Sequence, residues 1–262
     1  MKNKYFVIIL TCIVFLVVCF IGVKELFSVS DITVRYSVVN ESNVENVADI
    51  LEKYKGKCLL FVDTEKIKEE ITADRYLKVT EVKKIYPCEI SVTLQERTES
   101  FYYVEEKDGA SVYCYFDNEF FVVKKNNTAP KSEKGLMRIG FVDKFNGKMP
   151  ELRLKNTVKF DYGFNDMITE TISALGDSKN NFTSITFVGM NEEGNYRLLL
   201  QSVEGVSMEI RRADKDLTEK ILCGLQCYKG LSESERIANS IVVYNTSDKI
   251  VCDYTKNSGI LL

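Results

Sequence analysis

The chain has 262 residues and a mass of 30.0 kDa, carries a formal net charge of -3, and is 45% hydrophobic and 28% charged. These proportions are those of globular proteins, so a wholly disordered or collagen-like chain is excluded and one or two domains are expected. Histidine is absent, which excludes the Ser-His-Asp and Cys-His triads and the HExxH zinc motif. The sequence pI of about 5.4 gives no indication of a basic surface for nucleic acid.

A long apolar segment lies close to the start of the chain. Residues 5–23 (YFVIILTCIVFLVVCFIGV) contain no charged residue, and as a helix this run would reach about 28 Å, close to the ~30 Å hydrocarbon core of a bilayer. Lys2 and Lys4 precede it, so the positive-inside rule places residues 1–4 in the cytoplasm and the remainder outside. Because no small-residue cleavage site follows, a retained transmembrane helix is favoured over a cleaved signal peptide or a buried core helix.

The next segment predicts the first strand and helix of a small domain at residues 28–97. Residues 31–38 alternate between apolar and polar side chains, as a strand does. A capping box at residues 42–45 predicts the start of a helix, apolar residues then recur at helical spacing as far as Tyr54, and Gly56 is typical of a helix end.

The same domain continues with a second helix and a β-hairpin. Asp63 is a good cap for a helix that carries apolar residues at helical spacing. Residues 77–86 and 89–95 favour strands, separated by a Pro-Cys break. In the second strand three alternate residues face one way: Ile90, Val92 and Leu94. The order β-α-α-β-β predicts two helices on one face of a three-stranded sheet.

Residues 98–255 predict a second, mostly antiparallel β-rich domain with two helices, followed by a tail at residues 256–262. Eight runs favour strands: residues 101–104, 112–116, 120–123, 182–188, 196–201, 206–210, 241–244 and 249–254. Helical spacing indicates helices at residues 166–175 and 217–229, and the polar stretch 124–135 predicts an exposed loop. The predicted fold class of the whole chain is therefore α+β.

Eight cysteines are spread along the chain. Cys12 and Cys19 fall in the apolar run, and six lie beyond it: Cys58, Cys88, Cys114, Cys223, Cys227 and Cys252. An even number in an exported domain permits disulfides. The spacing is scattered, however, and several of the six lie in apolar runs, where free cysteine is commonly buried. We therefore favour buried thiols over a disulfide framework, and we expect no metal site.

Three stretches carry a resemblance to a known family. They are Gly56 with the Leu-Phe-Val-Asp sequence at residues 60–63, the sequence YLKVTEVKKIYP at residues 76–87, and the sequence ISVTLQER at residues 90–97. In this order, beyond a single apolar run, they resemble the FtsQ/DivIB family of bacterial cell division proteins. The resemblance implies a cytoplasmic tail, one transmembrane helix, a POTRA domain at residues 28–97 and a β domain at residues 98–255.

The resemblance also implies a function. It predicts a bitopic, non-enzymatic scaffold of the cytoplasmic membrane at the division septum. Such a protein needs no cofactor, small-molecule substrate or nucleic acid. Its β domain would bind the small coiled-coil proteins FtsB/DivIC and FtsL, assemble them with other divisome components and control septal peptidoglycan synthesis. The predicted site is the edge of the last two strands with the preceding helix, and it comprises Leu225, Tyr228, Tyr244, Lys249, Ile250, Val251 and Tyr254.

Other interpretations of the same residues remain open. The last two strands are an ordinary sheet edge unless a partner strand extends it. A membrane-anchored envelope hydrolase with a Ser/Lys or carboxylate pair needs no histidine, and Ser207 or one of several Glu-Glu pairs would have to supply its chemistry. In the POTRA domain, either the strand at residues 32–38 or that at residues 77–86 offers an edge to other division proteins.

Overall fold

The computed structural model describes residues 2–37, 44–107, 109–130, 136–142, 151–160, 163–190, 196–236 and 239–256, without the side chains of residues 2–9, 44–45, 107, 189–190 and 255–256. The chain divides into two compact units, Met1–Arg97 and Thr98–Leu262. Helices and sheets occur in both units, so the α+β class predicted from the sequence is confirmed.

The N-terminal helix, α1, spans Lys2–Leu26. Its side chains from Leu10 onward are all exposed. Residues 5–9 of the predicted transmembrane run belong to the part of α1 whose side chains are not described. In the portion of the chain that the structure describes, no helix reaches the combined length and apolarity of a membrane span.

The first unit has a three-stranded sheet with two helices. Its elements are β1 (Asp31–Tyr36), α2 (Val44–Glu52), a short 3-10 helix (Leu59–Phe61), α3 (Thr64–Thr72), β2 (Leu77–Ile85) and β3 (Glu89–Glu96). β3 lies in the middle, parallel to β1 and antiparallel to β2. The predicted β-α-α-β-β order is confirmed, although Ser42 and Asn43 of the expected capping box lie outside the described residues.

Apolar side chains at the predicted spacings form the core of this unit. Val47 and Leu51 from α2, and Ile67 from α3, are almost completely buried. The three alternate residues of β3, Ile90, Val92 and Leu94, are fully buried as well. The Asp63 carboxylate accepts hydrogen bonds from the backbone N–H groups of Glu65 and Lys66 at the start of α3, a cap that contributes about 1 kcal/mol.

The second unit is built on one nine-stranded sheet. Its strands are β4 (Phe101–Lys107), β5 (Ala110–Phe116), β6 (Val122–Asn126), β7 (Met137–Val142), β8 (Phe182–Met190), β9 (Tyr196–Ser202), β10 (Ser207–Arg211), β11 (Asn239–Asn245) and β12 (Ile250–Lys256). The order across the sheet is β12-β11-β10-β9-β8-β7-β4-β5-β6. Three neighbouring pairs are parallel and the others antiparallel, as the mostly antiparallel prediction requires.

Two helices cover this sheet and complete its core. They are α4 (Phe164–Leu175) and α5 (Leu217–Gly230), and they contact each other. α4 places the ring of Phe164 on that of Phe187, with the ring centroids 4.0 Å apart. α5 packs against β10, β11 and β12, with Ile221 fully buried. The helix positions therefore depend on contacts with strands distant in sequence.

One strand of the sheet is absent from the sequence-based assignment. β7 lies between β4 and β8, parallel to both. Its Gly140 passes so close to β8 that a Cβ there would lie 2.9 Å from the Thr186 hydroxyl. Met137 and Ile139 of β7 are buried and Arg138 is exposed, but this alternation covers only three residues, and Gly140 weakens the strand pattern that follows.

The predicted strand at residues 120–123 and the loop after it require correction. Phe120 has a left-handed φ of 60° and belongs to a turn, in which the Asp117 carboxylate accepts backbone N–H bonds from Glu119 and Phe121. The strand instead begins at Val122 and continues to Asn126, into the stretch predicted as loop. Its lysines are tolerated because they form ion pairs: Lys124 with Glu99 and Lys125 with Glu105.

Candidate binding edge of the nine-stranded sheet

The C-terminal strand, β12, forms one border of the large sheet. It pairs with β11 in antiparallel register, from Asn239↔Lys256 to Asn245↔Ile250. Within the described residues, no second strand pairs with its other side. The turn between the strands is closed by the backbone N–H of Thr246, which donates to the carbonyl of Lys249 at 2.8 Å. Lys249 therefore lies in the turn, one residue before the strand in which the sequence placed it.

This turn determines which backbone groups of β12 point outward. Thr246 and Lys249 form a hydrogen-bonded pair, and such pairs alternate with non-hydrogen-bonded pairs along an antiparallel ladder. Counting from the turn, Val251 and Asp253 direct their N–H and C=O groups toward β11. Ile250, Cys252 and Tyr254 direct theirs away from the sheet, toward a vacant strand position.

The side chains of β12 alternate between the two faces of the sheet. On the α5 face, Cys252 is paired with Val243 and Tyr254 with Ile241, and both β11 partners are completely buried. Ile250, Cys252 and Tyr254 are partly buried against the same core. The apolar backing on this face holds the strand in place while its outer backbone groups remain available.

The opposite face of the edge is more polar. Tyr244 lies opposite Val251 there, and its hydroxyl donates to the Asp253 carboxylate at 2.7 Å. This hydrogen bond to a carboxylate raises the pKa of Tyr244. The predicted residues Tyr244 and Val251 are thus on one face, and the predicted residues Ile250 and Tyr254 on the other, so that a strand added here would meet both sets.

Two predicted site residues lie behind the edge rather than on it. Leu225 and Tyr228 of α5 are 5% and 2% exposed. The Tyr228 hydroxyl donates to Glu204 at 2.7 Å, and its ring packs on that of Phe182. Burial, followed by this hydrogen bond, raises the pKa of Tyr228 to about 12. The expectation that these side chains flank the edge as surface contacts is corrected: they support the sheet from its covered face.

A close contact sets the distance between α5 and the sheet. A Cβ on Gly224 would lie 2.6 Å from the Met208 sulfur and 3.1 Å from a methyl group of Val243. Both neighbours are fully buried. Because real Cβ atoms do not approach so closely, the helix can lie at this height above β10 and β11 only with glycine here.

Three thiols meet between α5 and β12. Cys252 of β12 lies close to Cys227 and Cys223 of α5. Burial is the main reason that the pKa of Cys252 is raised, and the neighbouring thiols add to it. All six cysteines beyond α1 are free thiols, of which Cys114 is fully buried and the others are partly exposed. Among the described residues, no cluster of cysteine and carboxylate side chains is arranged to hold a metal ion.

A buried lysine at the start of α5 was not anticipated from the sequence. Lys220 is fully buried, and its ammonium donates to the carbonyls of Arg212 and Lys215 at 2.7 and 2.6 Å. Burial lowers its pKa. The loop that it holds ends at Asp216, whose carboxylate accepts a hydrogen bond from the Asn245 side chain at 2.8 Å. Lys220 thereby fixes the loop to which the end of β11 is tied.

The opposite border of the sheet is partly covered by the chain itself. The backbone N–H of Val122 donates to the carbonyl of Asn156, and that of Val158 donates to the carbonyl of Phe120. An isolated bridge joins Phe121 and Thr157. A segment of the chain thus occupies the strand position beside the start of β6, whereas the corresponding position beside β12 holds no described residue.

The first unit has two further borders, β1 and β2. β2 carries a bulge near Thr80 and three lysines: Lys78, Lys83 and Lys84. Bulges and lysines are common means of discouraging indiscriminate strand addition. β1 lacks a bulge in its pairing with β3. Both strands remain candidate edges, as expected, and neither is singled out.

An open groove of about 530 Å³ lies between α4 and α5. Its lining includes two carboxylates, Asp166 and Glu170, which is the arrangement that a carboxylate-based hydrolase would need. Glu170, however, already accepts hydrogen bonds from the backbone N–H and the hydroxyl of Thr218. It caps the N-terminal turn of α5, which is a structural role.

The fold defines a class of protein: a small β-α-α-β-β domain followed by a mixed nine-stranded sheet, in which no described strand pairs with the outer side of β12. Residues 27–97 match the family model of the POTRA domain, FtsQ-type. The chain therefore carries an FtsQ-type POTRA domain, which confirms the resemblance found in the sequence and supports assignment to the FtsQ/DivIB family of division proteins. A search of curated proteins found no match to the chain.

Proposed function

We propose that this chain is a membrane-anchored, non-enzymatic scaffold of the bacterial divisome. Its N-terminus would lie in the cytoplasm and both folded units outside, at the septum. It would hold FtsB/DivIC-like and FtsL-like bitopic proteins and so control septal peptidoglycan synthesis. The observation that carries the proposal is that no described residue occupies the strand position beside β12, in a chain that contains an FtsQ-type POTRA domain.

The proposed binding mode is the addition of a partner strand to β12. The outward backbone groups of Ile250, Cys252 and Tyr254 would bond to the added strand, which supplies affinity without regard to sequence. Selectivity would come from side chains on the two faces of the edge. Tyr244 and Val251 would contact one set of partner residues, and Ile250 and Tyr254 the alternate set.

The apolar run at residues 5–23 would contribute to assembly by confining the chain to the membrane. A scaffold and its bitopic partners in one membrane meet in two dimensions, so contacts that are weak in solution give a lasting complex. This explains how a single strand edge, supported by additional contacts of the POTRA domain, would suffice for assembly.

A pair of substitutions at one position tests the strand-addition model. Tyr254→Pro removes the outward N–H and places a ring at the edge, but leaves the bonds to β11 intact because they belong to neighbouring residues. Tyr254→Ala loses the same side chain and keeps the N–H. In pull-downs of the full chain with co-expressed FtsB/DivIC-like and FtsL-like proteins, we expect the proline variant to bind about tenfold more weakly than the alanine variant.

Circular dichroism and urea unfolding of both variants control for folding. Equal capture of the partners by the two variants, with both folded, would contradict strand addition at β12. Loss of capture by both to the same extent would assign the interaction to the Tyr254 side chain instead.

A further inference from the structure

An exposed apolar surface lies at one end of the first unit. Large hydrophobic side chains of residues 27–97 are mostly buried, but four described ones are not: Leu60 (40% exposed), Phe61 (77%), Ile85 (40%) and Tyr86 (60%). We call these four residues the apolar pole. They come from two separate segments, the 3-10 helix and the end of β2, and the unit's own core gains little from them.

The apolar pole surrounds the point where α1 enters the domain. The backbone N–H of Leu59 donates to the carbonyl of Phe27, immediately after the helix. The ring of Tyr86 packs edge-on against that of Phe27, with centroids 6.0 Å apart. Lys84 directs its ammonium to the carbonyl of Leu60 at 3.3 Å. Both segments of the apolar pole are therefore joined to the last residues of the helix.

The chain leaves almost no spacer between the proposed membrane span and the domain. α1 ends at Leu26, the N–H of Phe27 still bonds to the carbonyl of Val23, and Val29 is already in the domain core at 2% exposure. Four residues of helix advance about 6 Å. The headgroup layer on each side of a bilayer is roughly 5–7 Å thick. If Val23 ends the apolar run, Phe27 lies within that layer.

The chemistry of the apolar pole suits this depth. Aromatic residues with a polar tip, such as Tyr86, are enriched at membrane interfaces, where one end is apolar and the other hydrated. Lysines at such a border extend their ammonium groups toward water and phosphate, and Lys84 lies beside the apolar pole, at the carbonyl of Leu60.

We propose that the apolar pole docks on the phospholipid headgroup layer and holds the POTRA domain against the membrane at a defined orientation. This inference rests on the proposed function, because it takes residues 5–23 as the anchor. With the apolar pole docked, β1 and β2 would extend away from the membrane surface. A partner could then reach the edge of either strand only from the side.

Tryptophan fluorescence tests the docking directly, because the chain contains no tryptophan. Phe61→Trp and Tyr86→Trp each place a single reporter in the apolar pole of the full chain. Phe15→Trp reports on the anchor. Arg35→Trp is the matched control: it is exposed on β1 and lies about 13 Å further along the strand than Asp31. Each variant is reconstituted in phosphatidylcholine liposomes without brominated lipid, with lipids brominated near the headgroup for residues 35, 61 and 86, and with lipids brominated in mid-chain for residue 15.

We expect blue-shifted emission and strong quenching for the Phe61→Trp and Tyr86→Trp variants, and neither effect for Arg35→Trp. Quenching of Phe15→Trp with unquenched reporters at residues 61 and 86 would overturn membrane docking and leave the anchor intact. Quenching of none of the variants, with lipids brominated in mid-chain tested as well, would remove the anchor and with it the proposed function. A blue shift at residue 61 that requires an added protein would assign the apolar pole to a protein partner and also overturn docking.

Discussion

Individual polar residues beneath the sheet hold the candidate edge in shape. The Lys220 ammonium donates to the carbonyls of Arg212 and Lys215, and a hydrogen bond from a charged group contributes about 1.5–3 kcal/mol. Tyr228 connects α5 to Glu204 in the turn after β9. Such side chains stabilise the fold only in the protonation states that form these hydrogen bonds. The stability of the edge therefore depends on pH.

Stability is expected to fall at alkaline pH because of Tyr228. Its pKa is about 12 in the folded chain and about 10 when unfolded. Below about pH 10 the phenol is protonated in both states and its full contribution is present. As the pH rises above that value the unfolded chain loses the proton first, so the free energy of unfolding declines until the folded pKa is reached.

Urea unfolding of the full chain and of Tyr228→Phe at a series of alkaline pH values measures this effect. At neutral pH the variant should be about 1 kcal/mol less stable, because it lacks the bond to Glu204. Its stability should decline less steeply than that of the parent above about pH 10. Parallel declines in the two proteins would show that the Tyr228 phenol is not the group responsible.

Among the elements, α5 decides the position of the edge. It contacts β10, β11 and β12, and its approach depends on the missing side chain at Gly224. β12 itself contributes two different sides: a ladder to β11 and an outward row of backbone groups. A shift of α5 by the width of a methyl group would change the apolar support beneath the outward backbone groups of β12. The rest of the sheet would stay intact.

The pair Gly224→Ala and Gly230→Ala separates crowding from helix propensity. Alanine is preferred over glycine by about 1 kcal/mol in a helix interior, so Gly224→Ala carries this gain, whereas Gly230 is the last residue of α5 and gains at most as much. A Cβ at Gly230 meets nothing within 4 Å, whereas one at Gly224 crowds Met208 and Val243. We expect Gly224→Ala to be less stable than Gly230→Ala by about 1–3 kcal/mol in urea unfolding. Equal stabilities would mean that Met208 moves aside freely.

At the scale of the whole molecule, the parts have separate tasks in the proposed scaffold. The apolar run confines the chain to the membrane, the POTRA domain approaches the membrane surface, and the β domain offers the edge of β12 to a partner strand. This division predicts that assembly depends on the location and length of the anchor rather than on its particular sequence. If the anchor itself contacted the partners, assembly would depend on that sequence.

Exchange of residues 5–23 for an unrelated apolar run of equal length tests this division. Co-purification of the partners from membranes should be unchanged. A control in which the same run carries several arginines should fail to insert and should lose partner capture by roughly 100-fold, because confinement is lost. Loss of capture after the apolar exchange alone would show that the anchor recognises the partners directly.

Much of the first unit follows from local patterns. Its core comes from side chains at helix and strand spacing, and Asp63 caps α3 because its short carboxylate reaches the free N–H groups of the first turn. The strands of the large sheet were harder to predict from local patterns. β7 alternates between buried and exposed side chains only over residues 137–139, and its place in the sheet depends on pairing with the distant strand β8. The turn at Phe120 is local, because the Asp117 carboxylate accepts the N–H of Phe121, but the apolar run at residues 120–123 matched a strand pattern and concealed it.

The sequence by itself determined the α+β class and the β-α-α-β-β order, because periodicity, caps and turn residues act over neighbouring positions, and its motifs carried the resemblance that the family model confirms. Only the tertiary structure decided which groups of β12 face outward, that Leu225 and Tyr228 lie behind the edge, and that Leu59 and Tyr86 both contact Phe27 after α1. These outcomes depend on the pairing of distant segments, in which a shift of one residue exchanges the faces of a strand.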